Sequence, residues 1–306
     1  DFSIFKVDFE LVIQALKELY DKGLMKVRIT EQVNLAMDQL QDFIHKGYVN
    51  KRIHTKFKMG PLKILADGSL GGRTAAMLEP YSDQKQNLGI LTFTDDELFS
   101  MVHLCNQHGM DSVIHAIGDA TSLQVINVLN QSIKKTKRFN HAHAIIHAQL
   151  TPLNQIEMMK KNHIGAIVQP IFINTDINIL KERIGNRANN TYLFHTMYET
   201  IPLGFSTDAP IEPVNPFYNI YTAMTYKSIK YPDKPSLNIQ ERFDLDEALK
   251  AYTVNNLPYV YEQQLNKDYI VIDRDIYDID VEDIKNIKVL KTVINGELVY
   301  SSKSNK

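Results

Sequence analysis

Ser112-Val113-Ile114-His115, Ala144-Ile145-Ile146-His147 and Leu203-Gly204-Phe205-Ser206-Thr207-Asp208 are three short apolar runs, each ending on a side chain able to bind a metal. A fourth run, Pro61-Leu62-Lys63-Ile64-Leu65, carries one lysine and opens into Ala66-Asp67-Gly68-Ser69-Leu70-Gly71-Gly72-Arg73. Buried strands that each present one ligand at the C-terminal tip are how a (β/α) barrel assembles a metal site. Helical stretches separate the runs at the interval of one or two βα units, which fits parallel strands joined by crossovers.

Outward from these runs, the spacing predicts a helix over Glu10–Tyr20, a strand over Leu24–Ile29 and a helix over Val33–Phe43. Thr55 to Leu65 reads as extended, with Pro61 expected where a strand begins, since proline cannot donate inside a central ladder. The Gly-, Ser-, Asp- and Pro-rich stretch Asp67–Leu91 reads as a long ordered loop. Thr94-Asp95-Asp96-Glu97 has the form of a capping box opening a helix to about Gln107. Further helices are expected over Ala120–Ile133, from Thr151-Pro152 onward, over Arg187–Thr200 and over Asp246–Asn255. Gly165–Gln169 and Ile201–Thr207 complete the strands.

From Tyr269 the period changes to that of strands, and Asn295-Gly296 is a strong hairpin signal. The expected organisation is a partial barrel over residues 1–265 and a β-rich unit over residues 266–306. About six parallel strands can be counted, where a closed barrel needs eight. The shortfall falls at the front, and Asp1-Phe2-Ser3, neither an initiator Met nor a signal peptide, reads as the middle of a longer protein.

Bulk properties narrow the function. The 306 residues are 44% hydrophobic and 23% charged, ordinary for a chain with a real core. A net charge of −2 offers no electrostatic reason for a nucleic-acid or anionic-membrane partner. The apolar stretches are too short to span a bilayer. One cysteine, Cys105, excludes an intrachain disulfide framework and makes a cytoplasmic setting the default.

Each candidate residue has two readings. A single histidine on an apolar strand is ordinarily a satisfied core residue, but two histidines and an aspartate ending successive strands favour a metal site at His115, His147 and Asp208. In Asn140-His141-Ala142-His143-Ala144-Ile145-Ile146-His147, strand alternation places His141, His143, Ile145 and His147 on one face. Asp208 either caps the next helix or binds metal and accepts the proton of an activated water. Lys63 snorkels if its strand lies at an edge; if buried, a carbamylated amine would turn a costly cation into a carboxylate able to bridge two metals. Arg73 either orients a substrate carbonyl or carboxylate or knits its loop to Asp67 or Asp83.

Longer strings carry a resemblance. Lys63 through Asp83 (KILADGSLGGRTAAMLEPYSD), His115 through Asp119 (HAIGD), His147-Ala148-Gln149 and Ser206 through Pro216 (STDAPIEPVNP) resemble the YtcJ-like metal-dependent hydrolases, also called amidohydrolase family 3. Ala251 through Asn255 and Thr292 through Gly296 fit as well. The resemblance implies a TIM-type (β/α)8 barrel, incomplete here at about strands 3–8, with C-terminal strands of a composite β-sandwich. It also implies hydrolysis of a non-peptide carbon–nitrogen bond in an amide-like small molecule. One or two divalent ions, zinc foremost, would be held by Lys63, His115, His147 and Asp208, with Asp208 as general base and Arg73, Asp67 and Gln169 toward the substrate.

Departures from the pattern are visible. The first-strand His-x-His is absent, and His141-Ala142-His143 lies in front of the wrong strand to replace it. Ile146 stands where the pattern has a glutamate, on the face expected to point away from His147, and Gln263–Asp268 looks shortened against a glycine-rich turn. These departures imply that this stretch alone is inactive. They keep open a catalytically silent interaction or regulatory module, or a phosphoester or lactone hydrolase on the same site. Open strand edges favour association of chains, with a homodimer as the simplest case.

Overall fold

The computed structural model describes residues 8–262 and 267–302. The apolar runs become β1 (Ile29–Val33), β2 (Arg52–His54), β3 (Phe57–Leu65), β4 (Ser112–Ala116), β5 (Ala144–His147), β6 (Gly165–Val168) and β7 (Leu203–Phe205). β1 and β3 to β7 pair in that order, all parallel, while β2 adds to β3 antiparallel. Before, between and after them run α1 (Phe9–Asp21), α2 (Met37–His45), α3 (Asp95–Gln107), α4 (Asp119–Thr136), α5 (Leu153–Lys161), α6 (Ile173–Asp176), α7 (Leu180–Ile184), α8 (Phe194–Thr200), α9 (Pro216–Thr225) and α10 (Leu245–Tyr252). Six parallel strands backed by helices form an incomplete TIM-type barrel. β8 (Tyr269–Ile272), β9 (Val289–Ile294) and β10 (Glu297–Ser301) make a separate antiparallel sheet.

The two faces of the parallel sheet differ. Ile114, Ile145, Ala166 and Phe205 pack with helix residues such as Val102, Leu129 and Ile156 in the main core. The opposite face carries a smaller cluster of Val113, Ala144, Ile146, Ile167 and Tyr259. Register places Lys63 beside Val113, Leu65 beside His115, and His115 beside Ile146. Neighbours in register point the same way, so Lys63, His115 and Ile146 share the face that the helices leave uncovered.

Pro61 lies inside a nine-residue strand, not at its beginning. Between the pairs Glu31–Met59 and Val33–Leu62, β1 advances two residues and β3 three. The extra residue forms a bulge at Gly60-Pro61, where a missing N–H interrupts no regular ladder. Gly60 is required there, because a Cβ would stand 2.7 Å from the Glu31 carbonyl oxygen.

The first strand also differs from expectation, running Ile29–Val33 and not Leu24–Ile29. The Leu24 and Met25 N–H groups turn back to the Leu19 carbonyl to close α1, leaving Leu24 exposed. The helix expected from Val33 therefore starts at Met37. α8 begins at Phe194, the turns before it being 3-10 over Gly185–Asn190. α9 was not anticipated, although Asn215-Pro216 supplies its start: Asn215 Oδ1 accepts the Phe217 N–H and Pro216 occupies the first turn.

The Thr94 capping box forms as expected, with Thr94 and Glu97 bonded reciprocally. Asn295 and Gly296, both at positive φ (56° and 79°), turn β9 into β10. The terminal sheet is tied back by a two-pronged Arg28–Asp268 pair at 2.8 Å. Ile284 and Ile287, which precede β9, belong to the main core. Residues 263–266, most of the segment expected to be shortened, lie outside the described residues. Among the described residues, no helix is long and apolar enough to cross a membrane.

Close backbone approach at β6 yields a test. A Cβ on Gly165 would lie 2.0 Å from the Tyr259 hydroxyl and 2.8 Å from the Pro202 carbonyl oxygen, which that hydroxyl donates to. Gly165→Ala should cost about 1–3 kcal/mol by overpacking, read from urea unfolding midpoints. Adding Tyr259→Phe should recover part of that loss by removing the nearer colliding atom.

Candidate metal centre

His147 ends β5, is 2% exposed and has φ 77°, with Ala148 following at φ 47°. Alternation alone would put its side chain beside Ile145 on the helix-covered face. The left-handed backbone breaks that alternation, and the ring meets His115 edge-on with centroids 4.4 Å apart. Such a conformation in a non-glycine residue costs of order 1–3 kcal/mol and persists where the surroundings over-determine it. Phe172 stacks on the same imidazole at 5.4 Å. Burial, and then the neighbouring His115 and Lys63, hold His147 well below the ordinary histidine range, so it is neutral at pH 7.

His115 is the penultimate residue of β4. Its Nε2 lies 2.9 Å from the Gly68 carbonyl oxygen and 3.2 Å from Asp67 Oδ1. A carbonyl only accepts, so Nε2 donates in this arrangement.

Lys63 is 7% exposed, and burial pulls its amine down to about 8 against the opposing pull of Asp208. Asp208 follows β7 with φ 54°. Burial raises its carboxyl, while Lys63 and His115 oppose the rise. Lys63 and Asp208 therefore sense each other across the same rim. Two imidazoles and a carboxylate suit a divalent ion in donor chemistry, and the buried amine would join them only once it has lost its proton or become a carbamate. Among the described residues, no three His, Cys, Asp or Glu side chains stand at coordinating spacing.

The three residues expected near substrate are all engaged within the protein. The Asp67 carboxylate accepts from the Ala76, Ile117 and Gly118 N–H groups and from the Thr121 hydroxyl, and has no exposed surface. Arg73 takes the second of its two readings, donating to Asp83 from Nε at 3.0 Å and Nη2 at 2.8 Å. Arg183, at the end of α7, joins Asp83 at 2.6 Å, latching the loop after β3 to the segment after β6. Gln169 is 1% exposed, with Oε1 at 2.7 Å from His147 Nδ1.

His141 and His143 do not join this rim. β5 starts only at Ala144, and His143 Nδ1 accepts the Ser112 N–H at 2.9 Å, as a core histidine does. Ile146 corrects a further expectation: it sits beside His115 on the uncovered face, not on the far one. Sequence reading missed the buried set behind His147, where Gln149 and Tyr192 both donate to Asp176. Only the polar residues of the His147-Ala148-Gln149 string hinted at it.

Comparisons with known proteins agree with this architecture. The amidohydrolase family model matches residues 6–300. The Bacillus subtilis (strain 168) protein YtcJ is 32% identical over 253 residues, 79% of this chain and 47% of that protein. A crystal structure of an uncharacterized metal-dependent hydrolase from Pyrococcus horikoshii OT3 superposes with a TM-score of 0.71 at 28% identity, covering 81% of this chain and 49% of that one. One from Pyrococcus furiosus gives 0.70 at 28% identity, covering 82% and 50%. The chain thus spans about half the length of the relatives it matches. With the family model covering nearly its whole length, this chain belongs to amidohydrolase family 3, the YtcJ-like group.

Proposed function

We propose that the intact protein is a metal-dependent hydrolase that cleaves a carbon–nitrogen bond, other than a peptide bond, in an amide-like small molecule. The observation that carries this reading is the edge-on meeting of His115 and His147 beside Lys63 and Asp208 at one rim of the barrel. In it, Lys63, His115, His147 and Asp208 hold one or two divalent ions, zinc foremost. Such an ion supplies Lewis acidity and lowers the pKa of water to about 7. Asp208 accepts the proton of the attacking water at a carboxylate oxygen and returns it to the leaving nitrogen. Burial raises its carboxyl above the ordinary aspartate range, which makes it a better proton acceptor than an exposed aspartate. His147, neutral through burial, has an imidazole nitrogen available without first losing a proton.

In the intact protein, His147→Ala and Asp208→Asn should each reduce bound metal below one equivalent, read by elemental analysis. Hydrolysis should fall at least about 100-fold. Stoichiometric metal in both variants would sink the ligand assignment, and metal-free wild type would favour a catalytically silent scaffold.

Lys63 gives a test by pH. Its folded-state amine titrates near 8 against an ordinary 10.5, so the unfolded chain holds more protons between those values. Stability therefore carries the full penalty below pH 8 and rises with pH through the window, by up to a few kcal/mol. Urea midpoints in carbon-dioxide-free buffer should show that rise in wild type and not in Lys63→Met. Bicarbonate should abolish it if the amine becomes a carbamate, which does not titrate there.

A further inference from the structure

Gln169 stands directly behind His147, and its amide has only one orientation consistent with its neighbours. One side of the amide lies 3.1 Å from the Ile167 carbonyl oxygen and 2.7 Å from the Ser206 hydroxyl. A backbone carbonyl accepts and never donates, so the group facing it is the NH2. The amide oxygen must then face His147 Nδ1, 2.7 Å away. An amide oxygen cannot donate, so Nδ1 is the nitrogen that carries the proton.

We propose that Gln169, anchored by Ile167 and Ser206, is a positioning residue that keeps a proton on His147 Nδ1 and so reserves Nε2 as the nitrogen for a ligand. This rests on the reading of His147 as a metal ligand, and adds how that ligand is prepared before any ion arrives. Gln169 is 1% exposed and His147 2%, so water does not compete for the contact. The arrangement continues behind Gln169. Asn219, fully buried on α9, donates to the Ser206 carbonyl at 3.0 Å and accepts the Ile171 N–H at 2.8 Å. Ser206 is two residues before Asp208, so one hydrogen-bonded chain runs from α9 through the β7 tip to the imidazole. A partner on the distal nitrogen fixes ring orientation and tautomer in metal-binding histidines, and its loss typically costs 10–100-fold in metal affinity.

The test reads the tautomer directly, in metal-free intact protein with 15N-labelled histidine, by long-range proton–nitrogen spectra. Wild-type His147 should show a protonated Nδ1 and an unprotonated Nε2. Gln169→Leu, close in size but unable to accept, should shift His147 toward the other tautomer and weaken zinc binding about 10–100-fold. Gln169→Glu, which still presents an acceptor to Nδ1 although it gives up the donor to the Ile167 carbonyl, should keep the proton on Nδ1. A wild-type proton on Nε2, or an unchanged tautomer in Gln169→Leu, overturns the proposal. If Gln169→Leu fails to fold, the wild-type and Gln169→Glu spectra still decide it. A proton on Nδ1 with no zinc binding in wild type upholds the positioning role and fails the metal reading alone.

Discussion

A carboxylate with no exposed surface has to be matched by hydrogen bonds, and Asp67 is matched four times over, by Ala76, Ile117, Gly118 and Thr121. Three of those donors lie at the tip of β4 and in the opening turn of α4, where backbone N–H groups have no helical partner and favour negative charge. The fourth belongs to the loop after β3. One side chain thus fixes the loop against the strand tip that carries His115. Gly118 admits this approach, since a Cβ there would lie 1.9 Å from the Ala76 carbonyl oxygen. Removing Asp67 would orphan several buried donors at once, so its position in the sequence is a condition of the rim and not a detail of substrate contact.

The rest of the rim is built with local strain. His147, Ala148, Asp208 and Arg73 all have left-handed backbones without being glycine. Three of these four residues adjoin or belong to the candidate metal centre. Strain of this kind survives only when packing and hydrogen bonds hold it. Around His147 the Phe172 stack and the Gln169 contact supply that hold. Around Arg73 the Asp83–Arg183 latch does. His147 is therefore aimed by its surroundings and not by strand alternation, whereas Lys63, His115 and Ile146 follow the register of their strands.

Much of this was legible in the residues. Apolar runs closed by His115, His147 and Asp208 marked strands of a parallel sheet, the capping box at Thr94 marked α3, and Asn295-Gly296 marked the terminal hairpin. The family strings pointed to the same barrel. Local signals failed where a distant partner decides the outcome. Leu24–Ile29 alternates as a strand should, but β3 pairs only from Ile29 onward. Pro61 looked like a strand boundary because the bulge that accommodates it exists only once β1 lies alongside.

Sequence by itself determined most of the order of strands and helices, α9 excepted, and the residue types offered at each strand tip, because burial and turn chemistry act over a few neighbours. Tertiary structure alone decided which way those side chains face. His147 turns to His115 through a left-handed backbone, and Ile146 shares the His115 face by register. Asp67 and Gln169 become supports because donors and acceptors as far as 54 residues away converge on them. Alternation is a property of one strand, whereas a hydrogen-bond partner is a property of the packed whole.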